Sequence, residues 1–587
     1  MTIQKKHKRL YIIAIVLVVI VSLILILQLI FSGIVKNKIE RALDEKDQSK
    51  YQIELRTAKV NLFTMTLILK DIQITPDSAY KEQLLVPEIK TNSVVRANIR
   101  DLRIRNIDVI SIIQNKFVEI GEIIIGNAKV DVFTAHKKVD SEPSTRKPSH
   151  ALFNLDSIVM PGMLGGLIDK LNLSKFEIVV HKYEDSDTVF YGRSINLSLE
   201  DISLTKNESD STSFRLKLND ANISLTDEKF NLPGGKYALS FKEFNYNLVK
   251  KKLVFNKLKI KPRYSRDKMV SFSKFQYEIY DVDIHEVVIN SLNLSQMIRE
   301  SKFYLTSVDV DGMRLSIFKD KRHPFDESKR PKLPHVLIKG LKQDLNIDSI
   351  NISNSELIYA ERHDLMKELM KVTLGDFNVK IRNVTSVADS IINGAVMSIN
   401  LRANLQDVIP MGVDMIFPMK SIQDTFMFSG YLDKGDMKIF NSVVLPVMGV
   451  KFDSGDLDKI TFSANANPTY SIGTMTMLYH DLQGNVQKQD MVESNRFLTW
   501  VANAVIIRNN PVKDKDPRTV PLYFERVVYK GMGNYLWKTI QSGITATIIP
   551  TMKNKVQGQI DETLGTDPKV IKKRERQEKR AARKNRK

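Results

Sequence analysis

The 587-residue chain contains no cysteine, which excludes a disulfide scaffold, a thiolate nucleophile and any cysteine-ligated zinc or iron–sulfur site. The nine histidines, at positions 7, 136, 150, 181, 285, 323, 335, 363 and 480, never fall at metal-ligand spacing. His285-Glu286 begins like a zinc-protease helix motif, but Ile289 holds the position of the second histidine. Gly234-Gly235-Lys236 resembles the end of a phosphate-binding loop, yet Phe230 replaces its first glycine and Tyr237 its magnesium-binding hydroxyl. Around Asp309-x-Asp311-Gly312 a calcium loop would need carboxylates where Ser307 and Phe318 stand. There is no nucleophile elbow, and the Ser144 to Lys147 spacing is a two-residue match inside a polar loop. Without a convergent polar constellation the chain reads as a non-enzyme with no catalytic residue, no cofactor and no metal. An anchored hydrolase would need a constellation assembled only in three dimensions.

Long hydrophobic runs are also scarce: no window approaches 18 uninterrupted apolar residues apart from Leu10 to Phe31, which is free of charge and broken only by Tyr11, Ser22 and Gln28. These 22 residues span about 33 Å as a helix, enough for a hydrocarbon core of about 30 Å. The rival reading, a cleaved signal peptide, has a shorter apolar core and a small-residue cleavage site, and Phe31-Ser32-Gly33 fits that poorly. Lys5, Lys6, Lys8 and Arg9 precede the run, which argues for a cytoplasmic N-terminus with the remaining chain across the membrane. The resulting organisation is a basic N-terminus (1–9), a transmembrane helix (10–32), a juxtamembrane helix (33–50), a strand-rich body (51–489), a helical and strand cap (490–565) and a basic tail (566–587). Lysine and arginine outnumber acidic residues by 88 to 68, and the stretch from Lys572 carries eight of the twenty net positive charges. Lys572, Lys573 and Arg574, like the N-terminal cations, are candidates for contact with an anionic membrane surface. A solvated charge run is the plainer reading. Nucleic acid is excluded as a partner if the body lies outside the cytoplasm.

From Tyr51 the apolar residues alternate, as in Tyr51-x-Ile53-x-Leu55 and Ile72-x-Ile74, which predicts strands. One pattern recurs four times: Ile123-x-Ile125 to Val130-x-Val132, Leu171-x-Leu173 to Ile178-x-Val180, Val308-x-Val310 to Leu315-x-Ile317, and Ile350-x-Ile352 to Leu357-x-Tyr359. The first strand of each is followed by Gly126-Asn127, Ser174-Lys175, Asp311-Gly312 or Ser353-Asn354, and Gly-Asn and Asp-Gly favour two-residue hairpins. As hairpins, all sixteen apolar residues share one face, with Glu122, Lys129, Asp131, Asp309 and Arg314 on the other. Ile107 to Val132 also aligns without a gap on Leu292 to Ile317. Such a repeat points to an elongated stack rather than separate β-sandwiches. Lys137 to His150 and Asp320 to Pro334 read as loops ending a unit. Phe497 to Ile507 and Leu536 to Ile549 read as helices, the second with Leu536, Ile540, Ile544 and Ile548 on one stripe. The expected fold is therefore mainly β, an elongated repetitive antiparallel groove formed by a curled sheet, with an N-terminal transmembrane helix and C-terminal helices.

The basic N-terminus and single anchor, the opening segment with Leu69-Lys70-Asp71-Ile72, and the Ile107 to Val132 repeat together resemble the AsmA/TamB-like proteins of Gram-negative envelopes. These are repeating β-groove, bridge-like lipid-transfer proteins. The resemblance covers about two-thirds of the chain and rests on apolar spacing; the region after Asp490 and the basic tail depart from it. It implies a single-pass inner-membrane protein with a periplasmic body, whose groove carries phospholipid or another acyl lipid between the two membranes with the help of membrane-protein partners. The sixteen apolar residues would then line the lipid groove. The alternative is a structural scaffold for outer-membrane biogenesis that carries no lipid.

Overall fold

Alternation becomes strand wherever the chain is described. The computed structural model describes residues 51–566 apart from 62, 78–92, 109, 112–113, 115–116, 135–164, 183–187, 208–209, 233, 364–367 and 487–505. The expected transmembrane and juxtamembrane helices, the N-terminal cations and the basic tail lie outside these residues. Among the described residues no helix is long and apolar enough to cross a membrane. Strands make up 61% of the structure and helices 16%, so the protein is mainly β, with its strands in one long mixed sheet that does not close. It divides into two compact units.

The first unit comprises the residues up to Glu228 together with Lys242–Leu253. Its strands are β1 (Tyr51–Asn61), β2 (Thr66–Pro76), β3 (Ser93–Ile107), β4 (Phe117–Thr134), β5 (Gly165–Lys182), β6 (Thr188–Asn207) and β7 (Asp210–Lys217). β1 to β4 are antiparallel neighbours, β4 and β5 are parallel, and β6 pairs antiparallel with β5, β7 and β8 (Asp220–Asn231). β8, β9 (Tyr237–Asn247) and β10 (Lys252–Pro262) contribute residues to both units.

The second unit comprises Lys229–Phe241 and the residues from Val254 onward. After helix α1 (Arg266–Ser271) come β11 (Glu278–Asn290), α2 (Leu294–Glu300), β12 (Lys302–Asp320), α3 (Pro334–Lys339), β13 (Asp344–Arg362) and β14 (Met370–Thr385). They are followed by α4 (Ala388–Ile392), β15 (Val396–Leu405), β16 (Ile409–Pro418), β17 (Phe426–Leu432) and the two-residue β18 (Gly435–Asp436). A 3₁₀ turn (Met437–Phe440) leads into α5 (Asn441–Met448), β19 (Val450–Ala466), β20 (Tyr470–Val486), β21 (Thr519–Glu525), α6 (Met532–Ile548) and α7 (Pro550–Leu564). β12 and β13 are parallel; the other pairings from β11 to β21 are antiparallel.

Two expectations are corrected. The sheet is mixed rather than antiparallel: β5 runs parallel to β4 and β13 parallel to β12, in each case after a long connection of the kind parallel neighbours need. The four hairpins are also absent. Each proposed hairpin is one continuous strand, β4, β5, β12 or β13, bent at a residue in the left-handed region: Asn127, Lys175, Gly312 or Asn354. The same positive φ that suits a hairpin turn serves a kink. At Gly312 (φ 62°) a β-carbon would stand 2.9 Å from the His285 β-carbon, so glycine is required twice over.

The kinks are aligned from strand to strand. Asp71 of β2 lies level with Asn127 and Lys175, and Gly312 lies level with Asn354. Each left-handed residue interrupts the two-residue alternation, so Ile125 and Ala128, an odd and an even position, remain on one face. Packing agrees: Leu55, Ala58, Leu69, Ile72, Ile99 and Leu102 form one cluster spanning the kink in the first unit. Met313, Ile352 and Leu357 do so in the second. The shared apolar face therefore survives the loss of the hairpins.

Of the helix expected over Phe497 to Ile507, the described part, Ile506 and Ile507, is not helical. Ile507 N–H donates to the Ile548 carbonyl, at the end of α6. The other expected helix is present as α6, although its most buried positions, Tyr535, Thr539, Gly543 and Thr547, lie beside the apolar stripe read from sequence. Leu536, Ile540, Ile544 and Ile548 pack against the same core from partly buried positions.

Candidate functional site

The strand register places the sixteen predicted residues side by side. In the first unit Ile123, Ile125, Val130 and Val132 stand opposite Leu171, Leu173, Ile178 and Val180. In the second, Val308, Val310, Leu315 and Ile317 stand opposite Ile350, Ile352, Leu357 and Tyr359. Each of the sixteen whose side chain is described is half-buried.

These pairs are segments of longer apolar rows. Ala58, Leu69, Leu102, Ile125, Leu173 and Leu197 are successive partners across β1 to β6, and Val60, Leu67, Ile104, Ile123, Leu171 and Leu199 form the neighbouring row. In the second unit one row crosses ten strands: Ile289, Val308, Ile350, Ile381, Ile399, Met415, Phe428, Ala464, Gly473 and Leu522. Others run through Val287, Val310, Ile352 and Val379, through Val282, Leu315, Leu357 and Leu374, and through Tyr280, Ile317, Tyr359 and Val372. The recurring motif marks the paired positions only; the intervening strands, whose spacing does not repeat it, carry the rest of each row.

The opposite face carries polar ladders from strand to strand, interrupted in the second unit by the buried row Ile279, Phe318 and Ala360, which packs with Met269 of α1. Glu122 accepts from Arg105 (3.1 Å) and Asn172 (3.0 Å), and Asn172 in turn accepts from Ser198. Lys129 pairs with Glu177 at 3.2 Å. In the second unit Asp309 accepts from Asn290 and Asn351, Asp311 from Ser353 and Asn354, and Arg314 pairs with Glu356. Such ladders hold the face to water and mark the other as the one that must find apolar cover.

At one end of the second unit the cover is internal. Phe417, Phe426, Phe428, Met475, Met477, Val520 and Leu522 are buried in a core that α6 and α7 share. A β-carbon on Gly543 of α6 would lie 2.3 Å from Leu522, so the helix touches the sheet at closest approach. Buried Ser471 and Thr539 hydroxyls bond at 2.6 Å, and Tyr535 donates to the Asn467 carbonyl. Arg518 caps the C-terminal end of α6 through the Thr547 carbonyl.

One margin of the rows changes character. Beyond the Tyr280–Ile317–Tyr359 row, the next residues on the same face are Glu278, Lys319 and Glu361, in register. The Tyr280 hydroxyl donates to Glu278 and the Tyr359 hydroxyl to Glu361. Burial pushes both phenols up, and the carboxylates reinforce the shift. Burial would raise Glu361, but hydrogen bonds from His363, Lys321 and Tyr359 outweigh it and hold the carboxyl down to about 2. Continuing the alternation past Ile317 and Tyr359 leads to this row.

Among the described residues no group of three or more histidine, aspartate or glutamate side chains is arranged to hold a metal ion. No protein-family model matches the chain, and no curated protein sequence matches it either.

Proposed function

We propose that the protein is a non-enzymatic lipid carrier whose apolar rows hold acyl chains. The supporting observation is the rows themselves, which run unbroken across six strands in the first unit while most of their side chains stay half-buried. Each partly exposed Leu or Ile forgoes on the order of 1 kcal/mol of burial, a deficit repeated along every row that an acyl chain would remove. With Leu10 to Phe31 as an anchor, the body would stand on the periplasmic side of an inner membrane and pass phospholipid toward an outer one, together with membrane-protein partners. No motif supplies an energy source, so movement is passive or partner-driven.

The test is native mass spectrometry of the full chain purified in mild detergent, beside a Val308→Asp/Leu315→Asp variant. Phospholipid retained by the wild type and lost from a variant with an unchanged melting profile is the expected result. A folded, lipid-free wild type would overturn the proposal and put the assembly-scaffold reading first.

A further inference from the structure

On the face that carries the apolar rows, the second unit gathers lysines at one margin. Lys319 and Lys321 come from β12 and the residue after it, Lys530 precedes α6, and Lys538 lies in its second turn. The Lys530 and Lys319 ammonium groups stand 4.3 and 5.2 Å from the centroid of the same Phe325 ring. That ring packs 6.0 Å from Tyr529.

Two carboxylates face these lysines, and both are engaged. Glu278 takes Lys319 at 3.3 Å and the Tyr280 hydroxyl at 2.7 Å. Glu361 takes Lys321 at 2.6 Å, His363 at 2.8 Å and the Tyr359 hydroxyl at 2.5 Å. Lys530 has only aromatic rings beneath its ammonium, and Lys538 donates to Gln541. Neither has a carboxylate at ion-pair distance among the described residues. Burial lowers the pKa of both, and neighbouring lysines lower it further, Lys321 and Lys319 for Lys530, Lys530 and Lys321 for Lys538, with Glu361 opposing the shift only in part. With Glu361 already taken by Lys321, His363 and Tyr359, these two half-buried cations have room for a further anion.

The surroundings say which anion. The apolar rows lead directly to this margin: Val282, Leu315 and Leu357, then Tyr280, Ile317 and Tyr359, then the charged row. A ligand matching that order is apolar along its length and anionic at one end. Phenol hydroxyls sit at the changeover, where amphipathic rings are favoured. Lysine ammoniums bind phosphate oxygens as mobile point charges and need no fixed fork.

Resting on the lipid-carrier reading, we propose that Lys530 and Lys538, with Lys319 and Lys321, bind the phosphate group of a lipid whose acyl chains lie along the adjacent rows. The phosphate could belong to a lipid or be free in solution, and the test separates the two.

The full chain in mild detergent is titrated with dioleoylphosphatidylglycerol, with dioleoylglycerol, which has the same tails and no phosphate, and with inorganic phosphate. Bound species are counted by native mass spectrometry. Lys530→Gln/Lys538→Gln is expected to weaken the phospholipid about tenfold or more and leave dioleoylglycerol unchanged. Lys530→Arg/Lys538→Arg, which keeps both charges, should retain phospholipid and controls for folding. Equal phospholipid binding by the Gln variant and the wild type would overturn the proposal. Inorganic phosphate bound as tightly as the phospholipid would overturn the headgroup assignment. If neither glycerolipid binds but phosphate binds and is lost in the Gln variant, the lipid-carrier reading fails while the phosphate site stands.

Discussion

The row from Ile289 to Leu522 joins two regions of the second unit that differ in cover and not in kind. At Val308, Ile350 and Ile381 the side chains are half-buried; at Phe428, Ala464 and Leu522 they are buried. Both stretches are β-strand, both alternate apolar with polar, and both belong to one line of cross-strand partners. α6 and α7 pack directly on the last strands, and Val308, Ile350 and Ile381 join the same core from partly buried positions. An apolar sheet face is thus a demand for cover, and among the described residues it is met most fully at one end of the second unit.

The comparison breaks most readily at its covered end. Phe426 is 1% exposed and packs on Phe417, Phe428, Tyr535 and His335. Phe426→Ala is expected to cost about 3–5 kcal/mol in denaturant unfolding, against about 1–2 for Ile350→Ala in the same detergent. Equal losses would mean that the half-buried stretch is as closed as the covered one.

The charged margin provides a pH test. Glu361 titrates at about 2 when folded, against 4.5 as a free carboxyl. Its contribution is therefore present above about pH 4.5 and lost as pH falls toward 2, amounting to at most about 3 kcal/mol. Stability measured from pH 5 to 2 should fall less steeply in Glu361→Gln than in the wild type.

The kinks allow a smaller test that applies to both units. Gly312→Val places a β-branched side chain at φ 62° against His285 and should destabilise by about 2 kcal/mol. Asn127→Gly, at φ 51°, should change stability by less than about 0.5 kcal/mol.

Much of this face is legible in the amino-acid sequence, and the limits are physical. Alternation identifies which residues share a face, so the sixteen positions group together and lie in register. Gly126-Asn127 and Asp311-Gly312 reveal a need for positive φ, and that need is the same whether the chain reverses or only bends. The strand direction after β4 and β12 depends on where a long connection lands, which local residues do not encode. Lys319 and Glu361 follow from parity along their strands. Lys530 and Lys538 meet them from about 200 residues away, a proximity that only folding creates.

The most direct test of the central claim is site-specific photocrosslinking to lipid in native membranes. A benzophenone side chain is placed at Ile350 on the half-buried stretch, at Met477 in the covered core, and at Asn351 on the polar face. The account predicts phospholipid adducts at Ile350 and none at the other two positions. Labelling at Asn351 equal to that at Ile350, or none at Ile350, would contradict it.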